Sequence, residues 1–434
     1  MTGVVQETRV AVAVARLEAW FEQQRGLDGY GGPVVHPRRH NLITTGVGRD
    51  WRYEGIIAGY LRLWERTGEA RWLERATRAG DDLLVGQTQD SHFAASGFEQ
   101  NPATAGLPHE PACDIGLLLL AQALRRARKA DWRRYSDAAE RNLRRFVIGQ
   151  LWHEPSRSFS AMPGQQLFVP ESAATIGEAL FLLSEVTGDE VWAERYAIPT
   201  VRRICALQSS NGPLDGAIAQ SSLNGQVADR YDPIAVARCI PALLRAARWS
   251  NTTFYAERAR RAMTFLLRWT DADGVVPAMI YRGPRAALWP AWIAPLGELL
   301  RAAEALSEHN EHVQLGRVQT RLLDGQDASG GIQTARGFAR QSGARPDAPP
   351  DFRDLLHVAG WCDKAFRALA GLVDGPLPEA QTAPFETECL FRGQRYRFRE
   401  TETLVEATRS TLVCYRWRKG APSPEVAAPE FWLT

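Results

Sequence analysis

The sequence predicts an all-α chain, a ring of six helical hairpins, with a small β appendage at its C-terminal end. Two observations predict it. The first is an internal repeat in the punctuation between helices. The second is a change, after residue 375, from helical to alternating apolar spacing. In the repeat a helical run ends in Gln, once in Thr, and a polar turn follows that usually bears Gly. The six anchors are Gln24, Gln87, Gln150, Gln208, Thr270 and Gln326, separated by 63, 63, 58, 62 and 56 residues. A near-constant period of this length marks stacked supersecondary units.

Helices ending at the anchors are predicted over 8–24, 72–87, 133–150, 190–208, 252–269 and 311–326. Helices that follow the long loops are predicted over 52–67, 111–130, 171–187, 231–250, 289–307 and 352–373. Apolar residues recur at helical spacing inside them, as at Ile115, Leu118, Leu119 and Ala123. Thr67-Gly68-Glu69 and Thr187-Gly188-Asp189 place Gly just past a helix end, where left-handed backbone is needed. A hairpin exposes an apolar face that it cannot bury alone, so neighbours stack. The first helix and the last both lack a partner, and pairing them closes the ring; an open solenoid is the alternative. Residues 1–375 form this unit. From Gly375-Pro376-Leu377-Pro378 a linker leads to segments 388–398 and 404–417, whose alternation and aromatic or β-branched content predict two or three strands packed on the ring. Residues 376–434 are thus linker and appendage.

Composition narrows the function. A hydrophobic content of 45% with 24% charged residues is globular. A net charge of +2 offers no electrostatic case for nucleic acid or a membrane surface. No window reaches a membrane-spanning run of apolar residues, and the first residues lack the basic start and apolar core of a signal peptide. The six Cys show no CxxC or other metal-type spacing. A reduced, cytoplasmic protein without metal or cofactor is the expectation. Only Lys129, Lys364 and Lys419 are Lys among 52 basic residues, a skew that a GC-rich genome explains. Trp is frequent, at 14, and four of them, Trp51, Trp289, Trp292 and Trp361, fall at the starts of the helices that follow the long loops.

Connections on one face of the ring are a few residues long, whereas those on the other run to roughly 20–28, far beyond the usual median. Long loops in a compact domain carry function, so a cleft is expected there, lined by the starts of the helices that follow. Those starts offer Asp50-Trp51-Arg52-Tyr53-Glu54, then His109-Glu110 with Cys113-Asp114, then Glu171-Ser172. They continue with Asp229-Arg230-Tyr231-Asp232, Trp289-Pro290-Ala291-Trp292, and Asp351-Phe352-Arg353-Asp354 followed by His357 and Trp361. Asp50, Asp229 and Asp351 suit helix caps, and Asp232 before Pro233 suits an N-cap ahead of a first-turn proline. Asp114 lies one turn in, before the apolar run Ile115 to Leu120, where a carboxylate is buried at a cost. Glu54 has the same placement.

Cleaving a glycosidic bond takes two carboxyl groups, one protonated and one ionised. Asp114 is the expected general acid, with Glu54 or Glu171 as its partner. Arg52, Arg230 and Arg353 have the fork geometry to clamp a substrate carboxylate. Tyr53, His109, Glu110, Tyr231, Asp232 and His357 supply hydrogen bonds. Trp292 and Trp361, with Trp51 and Trp289, offer aromatic platforms for sugar rings. In a lyase or epimerase, Tyr53, Tyr231 or His357 would be the base.

Three segments carry a family likeness. They are Trp51-Arg-Tyr-Glu-Gly55 leading to Leu63-Trp-Glu-Arg-Thr-Gly-Glu69, then Cys113-Asp-Ile-Gly116, and Glu171-Ser-Ala-Ala174 with Leu183-Ser-Glu-Val-Thr-Gly-Asp189. Together with the repeat, which spans roughly residues 8–373, they resemble the unsaturated glucuronyl hydrolases, a branch of the six-hairpin glycosidases. The resemblance implies an (α/α)6 toroid, catalytic groups at the N-termini of its inner helices, a catalytic Asp at 114 and a carbohydrate partner. Cys113 stands where the family has His, and Glu171 stands near the expected place of a second Asp. The expected function is therefore glycoside hydrolase-like, acting on an oligosaccharide or uronic-acid glycan. A polysaccharide lyase, a sugar epimerase, or a non-catalytic glycan-binding toroid are the alternatives.

Overall fold

The computed structural model describes residues 2–431 except 36–41, 98–108, 284, 310–312, 314, 342, 344 and 346. The outer layer holds α1 (Thr2–Gln24), α3 (Ala70–Val85), α5 (Arg133–Asn142), α7 (Ile198–Ala206), α9 (Thr253–Trp269) and α11 (Gly316–Leu323). The inner layer holds α2 (Arg52–Thr67), α4 (Pro111–Arg126), α6 (Pro170–Thr187), α8 (Pro233–Ser250), α10 (Gly297–Ser307) and α14 (Ala359–Ala370). Two short helices, α12 (Phe338–Gln341) and α13 (Phe352–Leu355), precede α14. Each inner helix packs on the next around the ring, and α14 returns to pack on α2, so the ring is closed. Helix α1 packs beside α14, as the unpaired first and last helices required. The closing contact is tight because α2 carries glycine there. A Cβ on Gly55 would lie 2.5 Å from the Asp363 carbonyl oxygen, and one on Gly59 would lie 2.3 Å from the Phe366 ring.

The repeated Gln now has a cause. At the end of an outer helix its amide donates once to its own turn and once to the next outer helix. Gln87 Nε2 reaches Ser91 O at 3.3 Å and Ala138 O at 2.9 Å. Gln208 reaches Gly216 O and Arg258 O. Gln326 reaches Gly330 O and, across the closure, Ala13 O of α1 at 2.8 Å. Gln87, Gln208 and Gln326 thus each tie a turn to the neighbouring outer helix, which accounts for the residue at those anchors, whereas Gln24 Nε2 is buried without a hydrogen-bond partner among the described residues.

Two expected boundaries move. The fifth inner helix begins at Gly297 instead of 289, because Pro290 and Pro295 interrupt it and residues before a proline avoid the α region. Trp289 and Trp292 are therefore not one helical turn apart; Ala291–Trp292 forms a strand with Ala335–Arg336. The last inner helix breaks after Leu355, where His357 is drawn into contacts described below. The start expected for the last outer helix, at 311–312 and 314, lies outside the described residues.

The appendage is a five-stranded antiparallel sheet in chain order, Phe385–Phe391, Gln394–Glu400, Leu404–Arg409, Leu412–Arg418 and Val426–Ala427, more strands than expected. Tyr396, Phe398 and Glu400 are buried and alternate with exposed Arg395, Arg397 and Arg399. The buried face meets α13, where Phe352 is ringed by Phe391, Phe398, Tyr415 and Phe431 at 5.1–5.7 Å. No helix among the described residues is long and apolar enough to cross a membrane.

Candidate active site

The inner helices start together at one end of the ring, and the groups there divide into those engaged by the fold and those facing one another at the mouth. Two of the expected clamps belong to the first kind. Arg52 donates from its backbone N and from Nε to Asp50 Oδ1, and from Nη2 to Asp50 Oδ2, at 2.8–3.1 Å. Arg353 repeats this on Asp351 at 2.7–2.9 Å. Both guanidinium groups are buried in these two Asp-x-Arg pairs at inner-helix starts, which take the place of the expected carboxylate clamp. Arg230 is exposed beside buried Tyr231, on a strand pairing with Met279–Tyr281. Asp232 caps α8, accepting from Ile234 N at 3.0 Å.

Glu54 does not stand free either. Arg238 of α8 holds it with two bonds, at 2.8 and 2.7 Å, and Arg367 of α14 adds a third at 2.5 Å. Burial alone would raise its pKa, but Arg238, Arg367 and Arg301 overcome this and hold the carboxyl well below its ordinary value. Glu178 and Glu298 complete a cluster of three Glu and three Arg along the ring axis, Arg301 pairing Glu178 and Arg367 pairing Glu298. Glu54 is thus a strut of the ring, and a permanently ionised, fully paired carboxylate is a poor general acid.

Glu110 accepts from Ser96 Oγ at 2.8 Å and Asn142 Nδ2 at 2.7 Å, with His92 Nδ1 at 3.4 Å, and so anchors a loop and an outer helix. Tyr53 accepts from Tyr30 N and donates to Asp82 Oδ2, both at 3.2 Å, away from the mouth. His357 lies between Glu400 Oε2 at 2.7 Å and Asp327 Oδ2 at 2.9 Å. Burial opposes its charge, but these two carboxylates raise it to about 10. The same Glu400 accepts from Trp20 Nε1 at 2.9 Å and pairs with Lys419 at 2.8 Å. His357 therefore joins the sheet to the ring and is not a wall of the cleft.

A coherent set remains at the mouth. Trp51 lies 5.2 Å from His109 and 4.7 Å from Trp361, and Trp361 lies 5.2 Å from Trp292, forming a wall contributed by three inner helices and the strand before a fourth. Trp289 instead meets Arg340. Lys364 Nζ stands 4.7 Å from the Trp51 ring centre and donates to Asp363 Oδ2 at 2.7 Å. Burial, then the cations of Lys364 and Arg238, push His109 down to about 4, so its ring is neutral at pH 7. Burial pushes Asp363 up to about 7 despite Lys364 beside it. Glu171 is half-buried at the start of α6.

Asp114 is fully buried in α4, and neither carboxyl oxygen has a hydrogen-bond partner among the described residues. Burial, reinforced by the Glu110 carboxylate, pushes it well above its ordinary value, toward the protonated form. Asp363 and Lys364 were missed by sequence reasoning. The available signal was rarity: in a chain whose cations are nearly all Arg, two of three Lys are buried in ion pairs. Among the described residues no group of His, Cys, Asp and Glu has the arrangement of a metal site, and all six Cys are buried thiols.

No family model matches this sequence, and no curated protein sequence matches it. Solved structures do. The unsaturated glucuronyl hydrolase of Bacillus sp. GL1 is 15% identical, with 84% of this chain and 96% of that one covered at a TM-score of 0.57. Cellobiose 2-epimerase from Bacillus thermoamylovorans is 14% identical, covering 86% and 99% at 0.62. A possible member of the GH105 family from Klebsiella pneumoniae is 9% identical, covering 84% and 92% at 0.59. The likeness extends over the ring as a whole, and the chain has the six-hairpin (α/α)6 toroid fold of these proteins.

Proposed function

We propose that this chain is a carbohydrate-active enzyme, glycoside hydrolase-like, that takes an oligosaccharide or uronic-acid glycan at the mouth where the inner helices begin. One observation carries the reading: Asp114 is a buried carboxyl without a hydrogen-bond partner among the described residues, on the helix whose start meets the aromatic wall, and burial favours its protonated form. A carboxyl kept neutral at pH 7 is a competent general acid for a glycosidic oxygen. Glu171, at the start of the neighbouring inner helix, is the partner in this reading and activates water from the other side of the sugar. Trp51, the half-buried member of the aromatic wall, offers its ring to the apolar face of a sugar, with buried Trp361 and Trp292 packed behind it, and neutral His109 supplies a hydrogen bond. The proteins that share the fold include, by their names, a glucuronyl hydrolase and a sugar epimerase, which supports a sugar as substrate.

The test is a screen of glycosides and unsaturated uronides against the full chain, with Asp114→Asn and Trp51→Ala as variants. Asp114→Asn is expected to lower turnover at least about 100-fold while binding persists, and Trp51→Ala to weaken binding. Unchanged turnover in Asp114→Asn would remove the acid. Turnover absent in every protein, with glycan binding retained, would leave a binding toroid.

A further inference from the structure

A second site lies in the outer layer of the ring, where the turn after α9 packs against α11. A Cβ on Gly274 of that turn would lie 2.6 Å from the Arg317 carbonyl oxygen, so turn and helix are in close contact. Between them is an open pocket of about 390 Å³. Asp273 of the turn lines it, with Arg317 and Arg321 one turn apart on α11, Asp324 just past the end of that helix, and Arg336 of the following strand.

The charges here do not balance. Asp324 is already paired with Arg9 of α1, which is not part of the lining. Asp271, also outside the lining, accepts from Asp273 N and Val275 N of its own turn, both at 2.8 Å. Arg336 is held in place by donating from Nε to Gln333 Oε1 and from Nη2 to Asp324 O at 2.8 Å, and neither acceptor is charged. Arg317 is exposed and Arg321 half-buried, and neither makes a hydrogen bond or ion pair among the described residues. Of the Arg321 nitrogens only Nε is closed off, so both Nη groups are open to the pocket. Burial, then Arg336 beside it, push the Arg321 pKa below its ordinary value, and Asp271, Asp273 and Asp324 do not offset this. Like charges one helical turn apart repel, and a third guanidinium faces them. Asp273 is the one lining carboxylate without an ion pair among the described residues, so positive charge is in excess.

We infer that this pocket binds a small phosphate monoester with a polyol body. A phosphate monoester carries roughly −1.5 to −2 charge at pH 7, which matches three guanidinium groups set against one carboxylate. Its oxygens suit paired contacts with the Nη groups of Arg321 and its neighbours. Asp273 accepts from the hydroxyls of the body. No aromatic ring or large apolar side chain lines the pocket among the described residues, so a nucleobase or an acyl chain has nothing to lie against. The site uses no residue of the mouth and does not depend on the carbohydrate reading.

Calorimetric titration of the full chain with glycerol 3-phosphate tests this, with inorganic phosphate and glycerol as controls. Glycerol 3-phosphate is expected to bind, inorganic phosphate at least about tenfold more weakly for want of the hydroxyl contacts, and glycerol not at all. Arg321→Gln is expected to weaken binding at least about tenfold. Arg317→Glu, at an exposed position, is expected to abolish binding with an unchanged circular dichroism spectrum, which separates loss of the site from loss of the fold. Trp51→Ala, at the mouth, is expected to bind as the wild type does. No heat with glycerol 3-phosphate, equal binding of inorganic phosphate, undiminished binding by folded Arg317→Glu, or loss of binding in Trp51→Ala would each overturn the assignment.

Discussion

Replacing His357 by Gln removes the titrating cation that joins the ring to the C-terminal sheet, while an amide can still bridge Glu400 and Asp327. The expected effect follows from linkage. His357 titrates near 6.5 in an unfolded chain and at about 10 in the fold. A group raised in this way stabilises fully below the unfolded value, and the contribution disappears as the pH rises through the folded one. Glu400 is shifted the other way. Burial would raise it, but Lys419 and His357 hold it well below its ordinary value, so its share is lost only as the pH falls into the acid range. A rise of about 3.5 pH units at about 1.36 kcal/mol each limits the His357 contribution to about 5 kcal/mol, of which about 2 kcal/mol is lost between pH 6 and 8. At about 2 cal/mol/K per residue, a chain of this length converts that into roughly 2 °C. Thermal unfolding of wild type and His357→Gln at pH 6, 7 and 8 measures it. The difference in Tm is expected to shrink by about 2 °C across the series. A difference that stays constant would show that His357 is not held charged by Glu400 and Asp327, and the account of the docked sheet would fail.

Two further substitutions probe the ring itself. Gly55→Ala gains about 1 kcal/mol of helix propensity, but its Cβ would meet the Asp363 carbonyl at 2.5 Å, and overpacking against backbone costs about 1–3 kcal/mol or more. A lower urea midpoint is expected, and a higher one would mean that α2 and α14 are less tightly apposed. Glu54→Gln leaves Arg238 and Arg367 buried without their main counter-charge, so a loss of about 3–5 kcal/mol in urea unfolding is expected; a loss under about 1 kcal/mol would return Glu54 to the list of catalytic candidates.

The fold was legible because its marks are local. Gln87, Gln208 and Gln326 each act across one turn and one neighbouring helix, so the period that packs the ring is written as a period in the sequence. Glycine past α2 and α6 adopts the left-handed backbone its position demands, at φ 71° and 77°. The site was less legible because its partners are distant. Nothing near Glu54 announces Arg238 and Arg367, which lie 184 and 313 residues away and meet it only when the ring closes. His357 looked like a cleft residue because its helix was expected to run unbroken, whereas Asp327 and Glu400 hold it at a break. Arg52 and Arg353 were the exception, since Asp two residues earlier is local, and the repeated Asp-x-Arg could have been read as a pair.

Helix direction accounts for part of the charge at both ends of the ring. The inner helices bring their N-termini to the mouth, where the dipole favours anions, and their C-termini to the opposite end, where it favours cations. Asp232 caps α8 by accepting backbone hydrogen bonds, as Asp351 does for α13. Arg66, Arg125, Arg126 and Arg248 fall in the last turns of α2, α4 and α8. These residues follow from helix polarity and need no substrate. Asp114 does not follow from it. It lies in the first turn of α4, where the dipole would stabilise its charge, yet burial prevails and pushes the carboxyl well above its ordinary value, with no hydrogen bond among the described residues. Helix polarity would be served better by a cap, and packing by an apolar side chain. The role we propose for Asp114, proton donation to a bound sugar, uses what it has, a buried carboxyl shifted toward its protonated form on the helix that begins at the aromatic wall.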